Sequence, residues 1–294
     1  MKDSTKLIFK KHGWRVDRAI HNYIYFVFYY PYVKTVEVLL RGLKYLTWFK
    51  PLAPLGRMAF NRYHAKVLSG KDIEKILTLN EDVSVLSEEN RRAIPFKYAY
   101  KIIFQEPEFI AVMDCPCKLA TNAPAWSINS CLAVGKDLAT FWLEHCEKYN
   151  ARRISQEEAL DLVRKFRDEG YVTQAFFKVA TGGGTGVICN CHPDTCVSLI
   201  ASRHGVKLRP DLSQSVESGY SVIRDAEKCT DCGICESFCH FQAIQWKDGN
   251  FLYNRELCMG CELCVEHCPE DALTLYRDPG KSLPLDLDLL RETE

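Results

Sequence analysis

Fifteen cysteines stand in this sequence of 294 residues. Eight of them form two runs of one spacing, Cys229-x2-Cys232-x2-Cys235-x3-Cys239 and Cys258-x2-Cys261-x2-Cys264-x3-Cys268. Thiolates are soft ligands, so clusters of them select iron–sulfur centres or zinc over the hard cations. Cys-x2-Cys pairs serve zinc as well, but eight cysteines at x2-x2-x3 spacing favour iron–sulfur clusters, and with them the carriage of electrons. Every cysteine of the first run recurs 29 positions later, and Ala243-Ile244 recurs as Ala272-Leu273. The runs are two copies of one half-module facing each other. The apolar stretches behind them, Phe241 to Trp246 and Ala272 to Tyr276, are expected to pack over a cluster and keep water from its sulfurs, which helps set its potential.

Six more cysteines lie upstream, Cys115, Cys117, Cys131, Cys189, Cys191 and Cys196, with His192 beside them. Four of them form two Cys-x-Cys pairs at the ends of apolar, strand-like runs, which points both thiols of a pair to one side. Residues two apart on a strand are about 6.6 Å apart, whereas sulfurs around one tetrahedral zinc sit about 3.8 Å apart. The wider spacing suits a multi-iron cluster; zinc or reduced structural cysteines are the other readings. Cys146 and His145 share a helix face with Leu138, Phe141, Trp142 and Tyr149, so Cys146 reads as a core thiol. No nucleophile arrangement stands out, since catalytic pairs are recognised by spatial geometry. The run Gly182 to Gly186 is not followed by Gly-Lys-Ser/Thr and reads as a hairpin turn rather than a phosphate loop.

Residues from about Val222 to Asp278 resemble a bacterial dicluster [4Fe-4S] ferredoxin domain, carried by the two runs and by Pro269 after Cys268. The resemblance implies two [4Fe-4S] clusters with reciprocal ligands. Cysteines 229, 232 and 235 with Cys268 would hold cluster one, and Cys258, Cys261 and Cys264 with Cys239 cluster two. His240 departs from the pattern, standing where the family has proline. It restores a backbone donor and adds a titratable ring, which either tunes cluster two or faces solvent without effect. The region from about Val112 to Leu199 is similar to a loosely defined group of prokaryotic ferredoxin-domain proteins. There a Cys-x-Cys-Arg segment, a later cysteine and a Cys-Asn-Cys-Cys segment precede the dicluster domain. Here Lys118 replaces the arginine, His192 replaces a cysteine, and no cysteine lies between Cys117 and Cys131. This likeness implies a third iron–sulfur cluster held by a subset of the six.

The elements that must position these residues suggest an α+β protein. A strand is expected over Ile94 to Phe104, another from Phe109 to Asp114, and a third from Tyr171 to Val179, with a capping box at Ser155-x-x-Glu158 opening a helix that stops at Gly170. Upstream, Val36, Leu39, Leu40, Leu43 and Leu46 fall at helical spacing, with Glu37, Arg41 and Lys44 on other faces. Aromatics crowd the segment from Tyr23 to Phe49, Trp48 among them. Residues 1 to 70 carry 13 Lys or Arg against 3 Asp or Glu, a net +10, leaving 25 basic and 35 acidic residues beyond. This asymmetry suggests an acidic surface as partner. The divisions expected are 1–70, a basic, aromatic, helical docking segment; 71–221, a middle α+β unit with the cysteine site; 222–278, the pseudo-twofold dicluster unit; and 279–294, an acidic tail.

The function expected is relay of electrons through two clusters, three with the middle site, to or from a partner redox enzyme. The alternatives are an oxidoreductase whose middle site reduces a small molecule, and a redox-responsive regulator. Residues 1–50 are read as docking on a partner or on this protein's own core, or as peripheral membrane contact on the inner face; no nucleic-acid module accompanies them. Nothing reads as a cleaved signal, the apolar stretch Ile24 to Val33 is too short to span a bilayer, and a reducing cytoplasm suits this cysteine usage.

Overall fold

The computed structural model describes residues 5–6, 16–46, 63–85, 93, 102–178, 186–208 and 212–292. The first helices whose bounds lie within the described residues are α1 (Val16–Val27) and α2 (Tyr29–Leu46). Pro31 sits in the first turn of α2, where no helical hydrogen bond needs its missing N–H. Then follow β1 (Tyr63–Val67), α3 (Gly70–Leu77), β2 (Val83–Val85), β3 (Ile102–Phe104), β4 (Ile110–Asp114), α4 (Pro116–Ala120), β5 (Asn129–Val134), α5 (Lys136–His145) and β6 (Arg152–Ile154). After these come α6 (Gln156–Asp168), β7 (Val172–Lys178), β8 (Val187–Cys191), α7 (Val197–Leu208) and β9 (Ser215–Val216).

Seven of these strands form one sheet in the order β6-β4-β5-β8-β7-β1-β9. Pairing is antiparallel except between β1 and β9. Because side chains alternate along a strand, each strand serves two cores. Ala111, Met113, Cys131, Ala133, Val187, Cys189 and Cys191 join the core that includes Ala19, Tyr25, Tyr29, Val33 and Leu40 of the N-terminal helices. Ile110, Val112, Leu132, Val134 and Ile188 join the opposite core, which includes Ile73 and Ile76 of α3 and Ala159 and Val163 of α6. Helices therefore cover both faces of the sheet, as burying two apolar faces requires. Ser155 Oγ accepts from Glu158 N at 3.0 Å to cap α6, and the chain turns beyond that helix at Gly170, φ +78°, the left-handed geometry glycine supplies.

Several expectations change. The buried side of α2 is Tyr29, Val33, Glu37 and Leu40, whereas Leu39 is 61% exposed. Glu37 lies inside because Lys34 Nζ reaches its carboxylate at 3.2 Å. Strand β1, drawn from the segment expected to serve docking, lies within the sheet. Of the strand expected over 94–104, the described part is β3, paired with β2; positions 94–101 lie outside the described residues, as do Trp48, Phe49 and Gly182 to Thr185. Among the described residues no helix is long and apolar enough to cross a membrane.

The last part of the chain holds β10 (Tyr220–Arg224), α8 (Ile234–Ser237), β11 (Ile244–Lys247), β12 (Asn250–Tyr253), α9 (Leu263–Glu266), β13 (Leu273–Arg277) and α10 (Leu287–Glu292). Strand β10 pairs with β13 and β11 with β12, both antiparallel. The turn between β11 and β12 places Asp248 at φ +52° and Gly249 at φ +76°, the pair of positive angles that a tight Asp-Gly hairpin takes. Beyond β13, Arg255 and Ser221 bind the buried Asp278, and the Arg255 guanidinium holds that carboxyl well below the usual carboxylate range. The segment expected to be an acidic tail packs back on α3: Leu285 and Leu287 are buried, and Lys75 Nζ meets Asp286 at 2.9 Å and Asp288 at 2.6 Å.

Candidate metal centres

The upstream cysteines arrive from four places. Cys131 on β5 and Cys189 on β8 are register partners at the centre of the sheet, and their sulfurs lie 3.4 Å apart. Cys191, two residues along β8, takes the same face. Cys196 precedes α7 and is fixed by its amide, which donates to His192 O at 2.8 Å. Cys115 caps α4 and Cys117 lies within it. The strand-like geometry expected for that first pair does not hold, because Pro116 at the first helical position starts a turn of helix instead.

Together the six sulfurs close a ring. Cys115 contacts Cys117 and Cys131, Cys117 contacts Cys196, Cys196 contacts Cys191, Cys191 contacts Cys189, and Cys189 returns to Cys131. Hydrogen bonds from Cys117 and Cys131 hold the Cys115 thiol well below its ordinary range, and those from Cys117 and Cys191 do the same for Cys196. The donors Cys117, Cys131 and Cys191 are pushed up by the same contacts and by burial. Six thiols converging on one cavity are a soft-metal donor set. None of the six is in a disulfide.

The ring lines a cavity of about 80 Å³ whose other wall includes Tyr25, Tyr29 and Tyr32 from the N-terminal helices. Ser198 Oγ, also in that wall, is buried without a hydrogen-bond partner among the described residues and offers a donor to whatever the ring holds. Lys118 is 1% exposed. Its Nζ donates to Ser127 O at 2.8 Å and lies 4.1 Å and 4.3 Å from the ring centroids of Phe166 and Tyr171. Burial pulls its ammonium down, while the facing cysteines, Cys115 first, pull it up. A buried cation beside thiolates is what an anionic centre needs. Cys146 lies apart from the ring, fully buried, its thiol pushed up to about 12 by that burial. His192 does not line the cavity.

In the C-terminal unit, Cys229, Cys232, Cys235 and Cys268 line one cavity of about 20 Å³. Arg224 lines the same cavity, its guanidinium paired with Asp231. The second set gathers deeper: Cys264 is pushed up first by burial and then by Cys261, Cys239 and Cys258, and Cys261 is raised to about 12, mainly by burial. Thus Cys239 of the first run sits with the second run, and Cys268 with the first. The repeated dipeptides carry the sulfur hydrogen bonds. Ala243 N and Ile244 N donate to Cys239 Sγ at 3.2 Å and 3.3 Å, and Ala272 N donates to Cys268 Sγ at 3.3 Å. Such amide donors stabilise ligated thiolates, so these residues fit the clusters their spacing implies. Gly260 between Cys258 and Cys261 must be glycine, because at φ +62° a Cβ would lie 2.4 Å from Tyr220 O. Among the described residues no group of three or more Cys, His, Asp or Glu is placed to hold a single metal ion. That holds for the C-terminal sets as for the ring.

Sequence reasoning missed the residues that join the two units. Arg167, 4% exposed, donates from Nε to Glu266 at 2.8 Å and from Nη2 to Cys261 O at 2.8 Å. Gly70 N donates to Glu262 Oε2 at 2.7 Å, and Val67, Val172 and Leu263 share a small core against which Phe238 and Met259 pack. These partners are distant in sequence, and no local pattern signals them. They also set an orientation: the Cys258–Cys264 loop faces the sheet, whereas Cys232 of the other set is exposed.

Comparison with known proteins agrees with the C-terminal geometry. The family described as a 4Fe-4S dicluster domain matches residues 222–275. A pyruvate synthase subunit PorD of Methanocaldococcus jannaschii is 42% identical over 60 residues, 20% of this chain and 70% of that protein. Ferredoxin-1 of Rhodobacter capsulatus is 40% identical over 53 residues, 16% of this chain and 82% of that protein. The delta subunit of NADH-dependent phenylglyoxylate dehydrogenase of Aromatoleum evansii is 33% identical over 48 residues, 16% of this chain and 52% of that protein.

Proposed function

The chain belongs to the 4Fe-4S dicluster ferredoxin family through residues 222–275, carries two [4Fe-4S] clusters there and transfers electrons, and from this premise we propose that it is a three-centre relay serving a partner redox enzyme. Cluster one is assigned to Cys229, Cys232, Cys235 and Cys268, cluster two to Cys239, Cys258, Cys261 and Cys264, and a third, polynuclear iron–sulfur centre to the ring of Cys115, Cys117, Cys131, Cys189, Cys191 and Cys196. When bound, these centres accept and release single electrons. The observation that carries the reading is the closure of six protein sulfurs on one cavity. A cubane offers one outward position on each of its four irons, so six thiolates are enough to fill them. That favours relay over reduction of a small molecule at an open position. The likeness to subunits of oxidoreductase assemblies supports a redox enzyme as partner. The exposed edge of Val16, Ile20, Ile24 and Phe28 on the basic N-terminal segment supports docking on an acidic protein surface.

The ligand sets are tested by electron paramagnetic resonance of the reduced protein. Cys239→Ala is expected to lose or convert the same signal as Cys261→Ala, and Cys268→Ala the same signal as Cys232→Ala. Grouping of Cys239→Ala with Cys232→Ala would mean that each run closes on itself, and the assignment fails.

Lys118 supplies a separate test of the ring. Removing a buried positive charge disfavours the more negative, reduced state, so Lys118→Met is expected to lower the midpoint potential of the ring's centre by on the order of 100 mV, as a few kcal/mol of lost attraction implies. A redox titration reads it, and an unchanged potential would show that the lysine does not face the centre.

A further inference from the structure

Resting on the third centre just assigned, we propose that electrons pass between cluster two and the cysteine ring across the contact of His192 with His240, with cluster one as the outward terminal. His240 directly follows Cys239, a ligand of cluster two, and His192 directly follows Cys191, a member of the ring. The two imidazoles meet edge to face, their centroids 5.0 Å apart at 70°. Each is held there by other groups. His240 Nε2 donates to Gly170 O at 2.6 Å, so the residue that replaces the family's proline faces the sheet rather than solvent. His192 Nδ1 accepts from Asp194 N at 3.3 Å, and its ring packs on Tyr171 at 5.2 Å.

The surroundings favour this junction. The hydrogen bonds from the C-terminal unit to α6 and the Gly170 turn come from the cluster-two half, through Glu266, Cys261, His267 and His240, and Glu262 of the same half accepts from Gly70 N at the start of α3. Cys258 and Cys264 are buried, whereas Cys232 is exposed. Electron transfer weakens steeply with separation and with gaps in packing, so the packed side is the inward path and the exposed cysteine marks the entry. In each inward step one electron leaves the centre held by Cys239, which is oxidised, and enters the centre held by Cys191, which is reduced. No bond forms or breaks and no proton moves. The electron is replaced through the Cys232 set by a low-potential, one-electron protein donor.

The test uses the full chain, purified without oxygen, with a reduced ferredoxin as donor and freeze-quench paramagnetic resonance as readout. Cys264→Ala is expected to leave cluster one reducible while the ring's centre loses its rapid reduction. His240→Leu and His192→Leu are expected to keep all iron, reduce both C-terminal clusters at the wild-type rate, and lose the rapid phase at the ring. In the reduced wild type, the ring's signal is expected to be broadened by cluster two more than by cluster one, a measurement that needs no substitution. Iron near twelve per chain in the wild type and both histidine variants, with unchanged ring kinetics in all three variants, overturns the path alone. Iron near eight in the wild type, about what two cubanes hold, overturns the reading beneath it and the path together.

Discussion

Cys131→Ser combined with Cys189→Ser is expected to remove about four irons per chain while the C-terminal unit keeps about eight, as the cubane stoichiometry requires. The two sulfurs are 3.4 Å apart on neighbouring strands, so the pair is lost from one side of the ring and no other cysteine lies in register to replace it. Serine is nearly the size of cysteine, and burying each hydroxyl costs about 1–3 kcal/mol, which a folded sheet can absorb. Iron analysis beside far-ultraviolet circular dichroism checks the outcome. Retention of the full iron content in a folded protein would show that Cys131 and Cys189 hold none of it.

Removal of residues 1–50 is expected to have the second largest effect. Tyr25, Tyr29, Val33 and Leu40 are buried, and at about 2 kcal/mol each they contribute on the order of 8 kcal/mol, within the range of a whole domain's net stability. Tyr25 and Tyr29 also wall the cavity over the cysteine ring. The truncated chain is therefore expected to lose the ring's iron on brief exposure to air while the C-terminal clusters stay loaded. Equal air stability of the ring's iron in truncated and full chains would show that these helices do not shield it.

The C-terminal centres were legible because the information is local and doubled: one spacing, repeated after 29 residues, with Ala243, Ile244 and Ala272 supplying the amides. The upstream cysteines were legible as candidates through their types, yet their geometry was not. Pro116 reads equally as a strand end or a helix start, and only the structure separates Cys115 and Cys117 into a cap and a helical residue. The N-terminal segment showed its amphipathic character but not its orientation. Helical spacing allowed Leu39 inside and Glu37 outside, and the Lys34–Glu37 pair reverses them. Arg167 gave no signal at all, since its partner Glu266 is 99 residues away.

What the ring holds decides most directly how many centres this chain carries. Iron, acid-labile sulfide and zinc are to be counted together on protein purified and analysed without oxygen. The account predicts about twelve irons and about as many sulfides per chain, two cubanes and a third centre, with zinc below stoichiometry. About eight irons with one zinc per chain would contradict it, leaving the dicluster unit intact and the cysteine ring a zinc site.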